Sequence, residues 1–340
     1  MADSRTKNTT RNIFSGLIYR IVGILLPFIN RTVILRILGA EYTGLSGLFT
    51  SILGVLNLAE LGFNTSVVYS MYKPMAEQNW KKVSYYLTLI CKVYHIVGTV
   101  IFCGGLCCMP FLRYLIGGTY PQDINIYFLY FLYLVNSAIS YYLFAYKETL
   151  LLADQRKDIT DNIRSLVDTI RYLVQFFILL TTHNFYAYVI VQIIGTIVSN
   201  LLIQLSTRKR YPDITCQKKE KLKIPKEMKQ QTSALMIGQI CDTFRNSFDS
   251  IVISSFLGLV MTTIYGNYYY IYSAVYGILL VVGNALSGSV GNSISCESTK
   301  KNYEDMRNFQ FLFAWISAIC VGCMVTMYQP FMKLWAGQRL

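Results

Sequence analysis

Long apolar segments recur from one end of this chain to the other, and they limit what it can fold into more than any other feature. About 20 apolar residues are needed to span a bilayer as a helix. Windows of that size fall at roughly 12–36, 43–70, 84–111, 124–146, 163–182, 185–206, 231–256, 262–290 and 308–331. Of the 340 residues, 54% are hydrophobic and 14% are charged, whereas a soluble domain carries about 25% charged residues. A soluble core of this size has no room for so much apolar surface. The expected fold is all-α, a polytopic membrane helix bundle of about nine transmembrane helices. The fifth segment is the least regular, because Asp168 and Arg171 interrupt it. The 27 Tyr and 19 Phe suit interfacial belts and a lined cavity. The polar start through Arg11 runs into an apolar segment too long for a secretory signal.

A net charge of +13 would suit nucleic acid, but the placement of the charge argues for topology instead. With the N-terminus in the cytoplasm, 22 of the 31 basic residues fall in cytoplasmic segments. The outer segments hold only Arg36, Arg113, Lys333 and Arg339. That asymmetry follows the positive-inside rule. The run from Lys218 to Lys229 then reads as a solvated linker beside anionic lipid. It divides the chain into a six-helix N-terminal lobe (1–207), a cytoplasmic basic linker (208–230) and a partial C-terminal lobe of three helices (231–340). A weak internal echo supports the division. Leu38-Gly39 ends the first segment and Leu257-Gly258 ends the seventh, and each precedes a long helix and a polar stretch. Internal repeats are common in secondary transporters. A full second lobe would need three more spans, so a fragment of a longer protein is expected.

Several chemistries lack their residues. No Gly-rich ATP-binding loop is present, and the longest polar stretch is the linker itself. Gly283, Gly288 and Gly291 read as small residues for helix packing. Most of the nine cysteines sit inside apolar runs, as small buried hydrophobes do. Cys320 and Cys323 have no second pair beside them, and His95 and His183 are isolated. No enzyme activity, cofactor or metal is expected. Transport would draw on an ion gradient, a substrate gradient or the membrane potential.

Charges inside the spans carry the functional signal, since each costs roughly 2.5–3.5 kcal/mol to insert and usually faces a cavity or a partner. Arg20 and Arg31 are eleven residues apart, close to three helical turns, and share a face. Arg20, Lys92, Arg171 and Glu60 each lie about eight to ten residues from the inner end of a span, roughly 12–15 Å deep. Guanidinium groups grip phosphate through paired charge-assisted hydrogen bonds. Arg20, Arg31, Lys92, Arg171 and Arg245 are therefore the candidate substrate-binding residues. Glu60, Asp249 and Asp242 are the candidate ion-coupling carboxylates, for a proton or a sodium ion. Bland alternatives stand beside these. Lys92 and Arg171 can snorkel to headgroups, Arg31 lies close to the outer end, Asp168 can pair with Arg164 or Arg171, and Asp242 can neutralise Arg245 at i+3.

The stretch Arg36-Ile37-Leu38-Gly39-Ala40-Glu41-Tyr42-Thr43-Gly44-Leu45 resembles the first loop of Wzx-type polysaccharide flippases. These belong to the multidrug/oligosaccharidyl-lipid/polysaccharide exporter superfamily. Leu61-Gly62-Phe63 with Tyr72-Lys73-Pro74-Met75-Ala76 is similar to the end of that family's second span. The run Asp249–Gly258 with Tyr265-Gly266-Asn267-Tyr268 is similar to its seventh and eighth, and Gly291-Asn292-Ser293-Ile294 and Leu334-Trp335-Ala336-Gly337 to later landmarks. The resemblance spans essentially the whole chain, through motifs that are loose singly but ordered alike. It implies two six-helix lobes around a basic cavity open alternately to each side of a bacterial cytoplasmic membrane. It also implies a polyprenyl-diphosphate-linked oligosaccharide as cargo. The chain departs from the family in length. The alternative is a cation-coupled multidrug exporter of the same superfamily, which should have a more acidic or aromatic cavity. A membrane-embedded glycosyltransferase would need a large outer loop or a surface carboxylate cluster, and neither is present. A non-transporting scaffold is the remaining reading.

Overall fold

Backbone polar groups have no water to bond in lipid, so a chain this apolar must satisfy them within its own helices. The computed structural model describes residues 5–57, 62–212, 214, 216, 226–296 and 299–337, and helix is the only regular structure among them. In chain order the helices are α1 (Arg5–Ile37), α2 (Ala40–Leu56), α3 (Phe63–Ala76), α4 (Trp80–Cys108), α5 (Leu112–Leu115), α6 (Ile126–Tyr142), α7 (Glu148–Ala153), α8 (Lys157–Thr182), α9 (Phe185–Arg210), α10 (Lys226–Cys296) and α11 (Thr299–Ala336).

Among the described residues, five helical stretches are long and apolar enough to cross a membrane: Phe14–Ile37, Trp80–Leu115, Phe185–Arg210, Met236–Gly277 and Thr299–Ala336. The pair Ile126–Tyr142 and Ala145–Ala153, bent by 43°, makes a sixth if it is one broken span. The count of nine remains an expectation. The seventh and eighth expected spans run together in α10, the second is split between α2 and α3, and α8 is not in the apolar set. The chain divides into two compact units, Met1–Thr262 and Thr263–Leu340.

In the first unit α1 packs along α8, α8 on α9, and α4 on α6 and α3. Leu45, Leu48 and Phe49 of α2 are fully buried with Met71, Leu87, Ile90, Tyr130 and Leu134. Phe49 meets Tyr130 edge-on at 5.3 Å. The outward faces are apolar instead of charged. Leu17, Ile21, Leu25 and Ile29 of α1 and Leu166, Ile170, Leu173 and Phe177 of α8 are all exposed. The buried face of α8 is polar, with Asp158, Asp161, Ser165 and Gln175. An apolar exterior over a polar interior is the arrangement that lipid favours. Asn30 of α1 donates to the Tyr172 carbonyl at 3.3 Å and to Gln175 at 3.4 Å, and Gln175 donates to the Tyr188 carbonyl of α9 at 3.0 Å.

The Leu-Gly echo has a backbone counterpart. Gly39 (φ 109°, ψ 176°) breaks the chain between α1 and α2, and Gly258 (φ 85°, ψ 178°) breaks α10. This region of backbone space is essentially closed to residues with a Cβ, so one residue type makes one break twice. Just beyond the second break, the Leu259 carbonyl packs against Gly44 of α2, where an added Cβ would come within 2.3 Å of its oxygen.

The second unit holds the end of α10 and α11. Tyr268 stacks on Tyr328 at 5.2 Å, and the Tyr328 hydroxyl donates to the Tyr268 carbonyl.

Candidate functional site

Polar side chains in an apolar bundle are expensive, and in the first unit several of them line two cavities beside α3. Asn57, at the end of α2, and Asn64 and Thr65, at the start of α3, line an open cavity of about 380 Å³ together with Gln239, Asp242 and Thr243 of α10. Asn64 and Thr65 also line an adjoining cavity of about 390 Å³ with Asn12, Tyr69, Tyr72, Gln155 and Lys157. The two cavities form one cleft along α3. Gly62, left-handed at φ 71°, precedes α3 and lines the first cavity.

The walls are held from behind. Ser137 donates to Asn57 at 3.3 Å, and Thr149 of α7 donates to Asn64 at 3.0 Å. Asn12 of α1 donates to the Gln155 carbonyl and accepts from the Asp158 amide, both at 2.9 Å. A residue of α1 thus caps the start of α8. Asp158 lies 2.8 Å from Arg11 and 2.9 Å from Arg156. Arg164 reaches Glu148 of α7 at 2.5 Å. The cleft therefore presents amides, hydroxyls, two tyrosine rings, one lysine and one carboxylate. Amides and hydroxyls hydrogen-bond to sugar hydroxyls, rings cover apolar sugar faces, and the ammonium attracts an anion.

The residues proposed from sequence are distributed unevenly about this cleft. Asp242 lines it. Asp249 is exposed on the same helix. Glu60 lies outside the described residues, although Asn57 and Gly62 on either side of it in sequence both line the cleft. Arg245 belongs to α10, but its side chain is outside the described set. Arg20 is exposed on α1 and makes no hydrogen bond or ion pair among the described residues. Arg31 and Arg171 both lie within electrostatic reach of Tyr188 of α9. Arg171 is already engaged: it pairs with Asp168 at 2.9 Å, lies over the Tyr172 ring at 4.2 Å and packs across Gly195. Lys92 is exposed on α4. Sequence reasoning missed Asn12, Thr65, Tyr69, Tyr72, Gln155 and Lys157. The available signal was the polar pair Asn64-Thr65 interrupting an apolar window.

A unit of long helices with lipid-suited faces and a polar cleft defines a multi-pass α-helical membrane protein. Residues 9–287 match the family described as polysaccharide biosynthesis protein, and the chain belongs to that family. Membership ties it to transport in polysaccharide biosynthesis. No curated protein and no solved structure matches the chain.

Proposed function

We propose that the chain acts as a flippase, moving a polyprenyl-diphosphate-linked oligosaccharide across the bacterial cytoplasmic membrane by alternating access. The N-terminus faces the cytoplasm, and residues 1–207 and 231–340 contribute to two lobes. The cleft along α3 carries this reading. It offers hydrogen-bonding and aromatic groups for sugars in a unit that otherwise presents apolar faces to lipid. Arg20 and Arg31, on one face of α1, supply forked donors for a diphosphate, and Arg245, Lys92 and Arg171 add basic charge. Glu60, Asp249 and Asp242 serve a coupling proton or sodium ion.

A cation-coupled multidrug exporter is the second reading, favoured by Asp242 in the cleft wall. Lipid profiling of a strain lacking the gene separates the two. A flippase predicts accumulation of a lipid-linked oligosaccharide on the cytoplasmic side. An unchanged lipid-linked pool together with hypersensitivity to cationic drugs would move the assignment to the exporter.

A further inference from the structure

We propose that Asp161 is a proton-binding site set into the contact between α1 and α8. The residue is 2% exposed. Its Oδ2 is shielded from solvent and has no hydrogen-bond donor. This oxygen lies against Gly16 of α1, where an added Cβ would sit 3.7 Å away. Three of the arginines nearby are engaged elsewhere. Arg11 of α1 and Arg156 pair with Asp158, and Arg164 pairs with Glu148 of α7. Tyr19 of α1 senses Arg164, Asp168, Asp161 and Glu148. On α8 itself Lys157 and Arg164 attract the ionised form of Asp161, while Asp158 repels it.

A buried carboxylate without a donor is costly when charged, and a proton removes that cost. Burial accordingly raises the pKa of Asp161, against the pull of Lys157 and Arg164. Between its unfolded and its raised folded pKa the folded protein binds more protons than the unfolded one. The Asp161 contribution to stability therefore falls as pH rises through the folded pKa. Closing α1 onto α8 takes up a proton, and parting them releases it. Use of that proton in transport rests on the flippase reading, whereas the site itself does not.

The test uses the purified full chain in lipid nanodiscs, with no substrate. Tm is followed from mildly alkaline to mildly acidic buffer, alongside the infrared carboxylic-acid stretch. Wild type should rise in Tm on acidification and gain a protonated carboxyl band. Asp161→Asn should lose that band and that part of the rise. An Asp161→Asn protein that keeps both would overturn the proposal. Should Asp161→Asn fail to fold, Asp161→Glu takes its place, with a displaced band and a moved Tm midpoint expected. A band and midpoint identical to wild type in Asp161→Glu would equally overturn it.

Discussion

Arg20 protrudes from α1 with no partner among the described residues, while Arg171 is stacked, paired and largely covered. That contrast ranks the two as diphosphate ligands, because a guanidinium already held by a carboxylate has fewer donors to offer. A hydrogen bond to a charged group is worth about 1.5–3 kcal/mol. Arg20→Ala should therefore cut export roughly 10-fold or more, with normal membrane insertion, and Arg20→Lys should fall between it and wild type. Lysine snorkels as well as arginine, so full activity of the lysine variant would point to lipid headgroups instead of the substrate diphosphate. The carboxylates need a different readout. Glu60→Gln and Asp249→Asn remove charge and keep shape, and export in reconstituted vesicles should then lose its response to the imposed ion gradient. Undiminished gradient dependence in both variants would take ion coupling away from these positions.

At the scale of elements, α8 and α10 teach most. Asp168 and Arg171 make α8 look interrupted in the sequence. In the fold they belong to a polar side turned toward α1 and α9, opposite Leu166, Ile170, Leu173 and Phe177. A mean over a window cannot separate two faces, whereas the 3.6-residue period can. In α10 the break at Gly258 depends on a backbone conformation open only to glycine. Gly258→Ala should destabilise the protein by about 1–3 kcal/mol, read as a lowered Tm in nanodiscs. Gly238→Ala, at a helical glycine with open space around its Cα, should leave Tm unchanged or raise it slightly.

For the whole molecule, orientation is the property on which the direction of transport depends. In a cysteine-free background, a cysteine at Gln122 should react with an impermeant maleimide in intact cells, and one at Lys221 should not. The reverse labelling would invert the topology and with it the proposed direction. Gln122 is exposed, so access through the protein does not limit the reaction.

The sequence by itself determined the class of fold, because hydrophobic length and the exclusion of charge are local and additive along a chain. It also exposed the Leu-Gly echo, since a glycine-only break leaves its mark in the residue itself. The candidate cleft was only partly legible. Asp242 was visible as a costly intramembrane charge, but Asn12, Tyr69, Gln155 and Lys157 carry no such mark. They meet because α1, α3, α7 and the turn before α8 converge, and convergence of distant segments is not written in any one of them. The state of Asp161 was likewise decided by tertiary structure. Its neighbours in sequence include Lys157 and Arg164, which suggest a satisfied ion pair, but packing gives Arg164 to Glu148 and leaves the Asp161 oxygen against a glycine. Partner choice among buried charges depends on distances of a few ångströms between helices, and only the assembled bundle sets those.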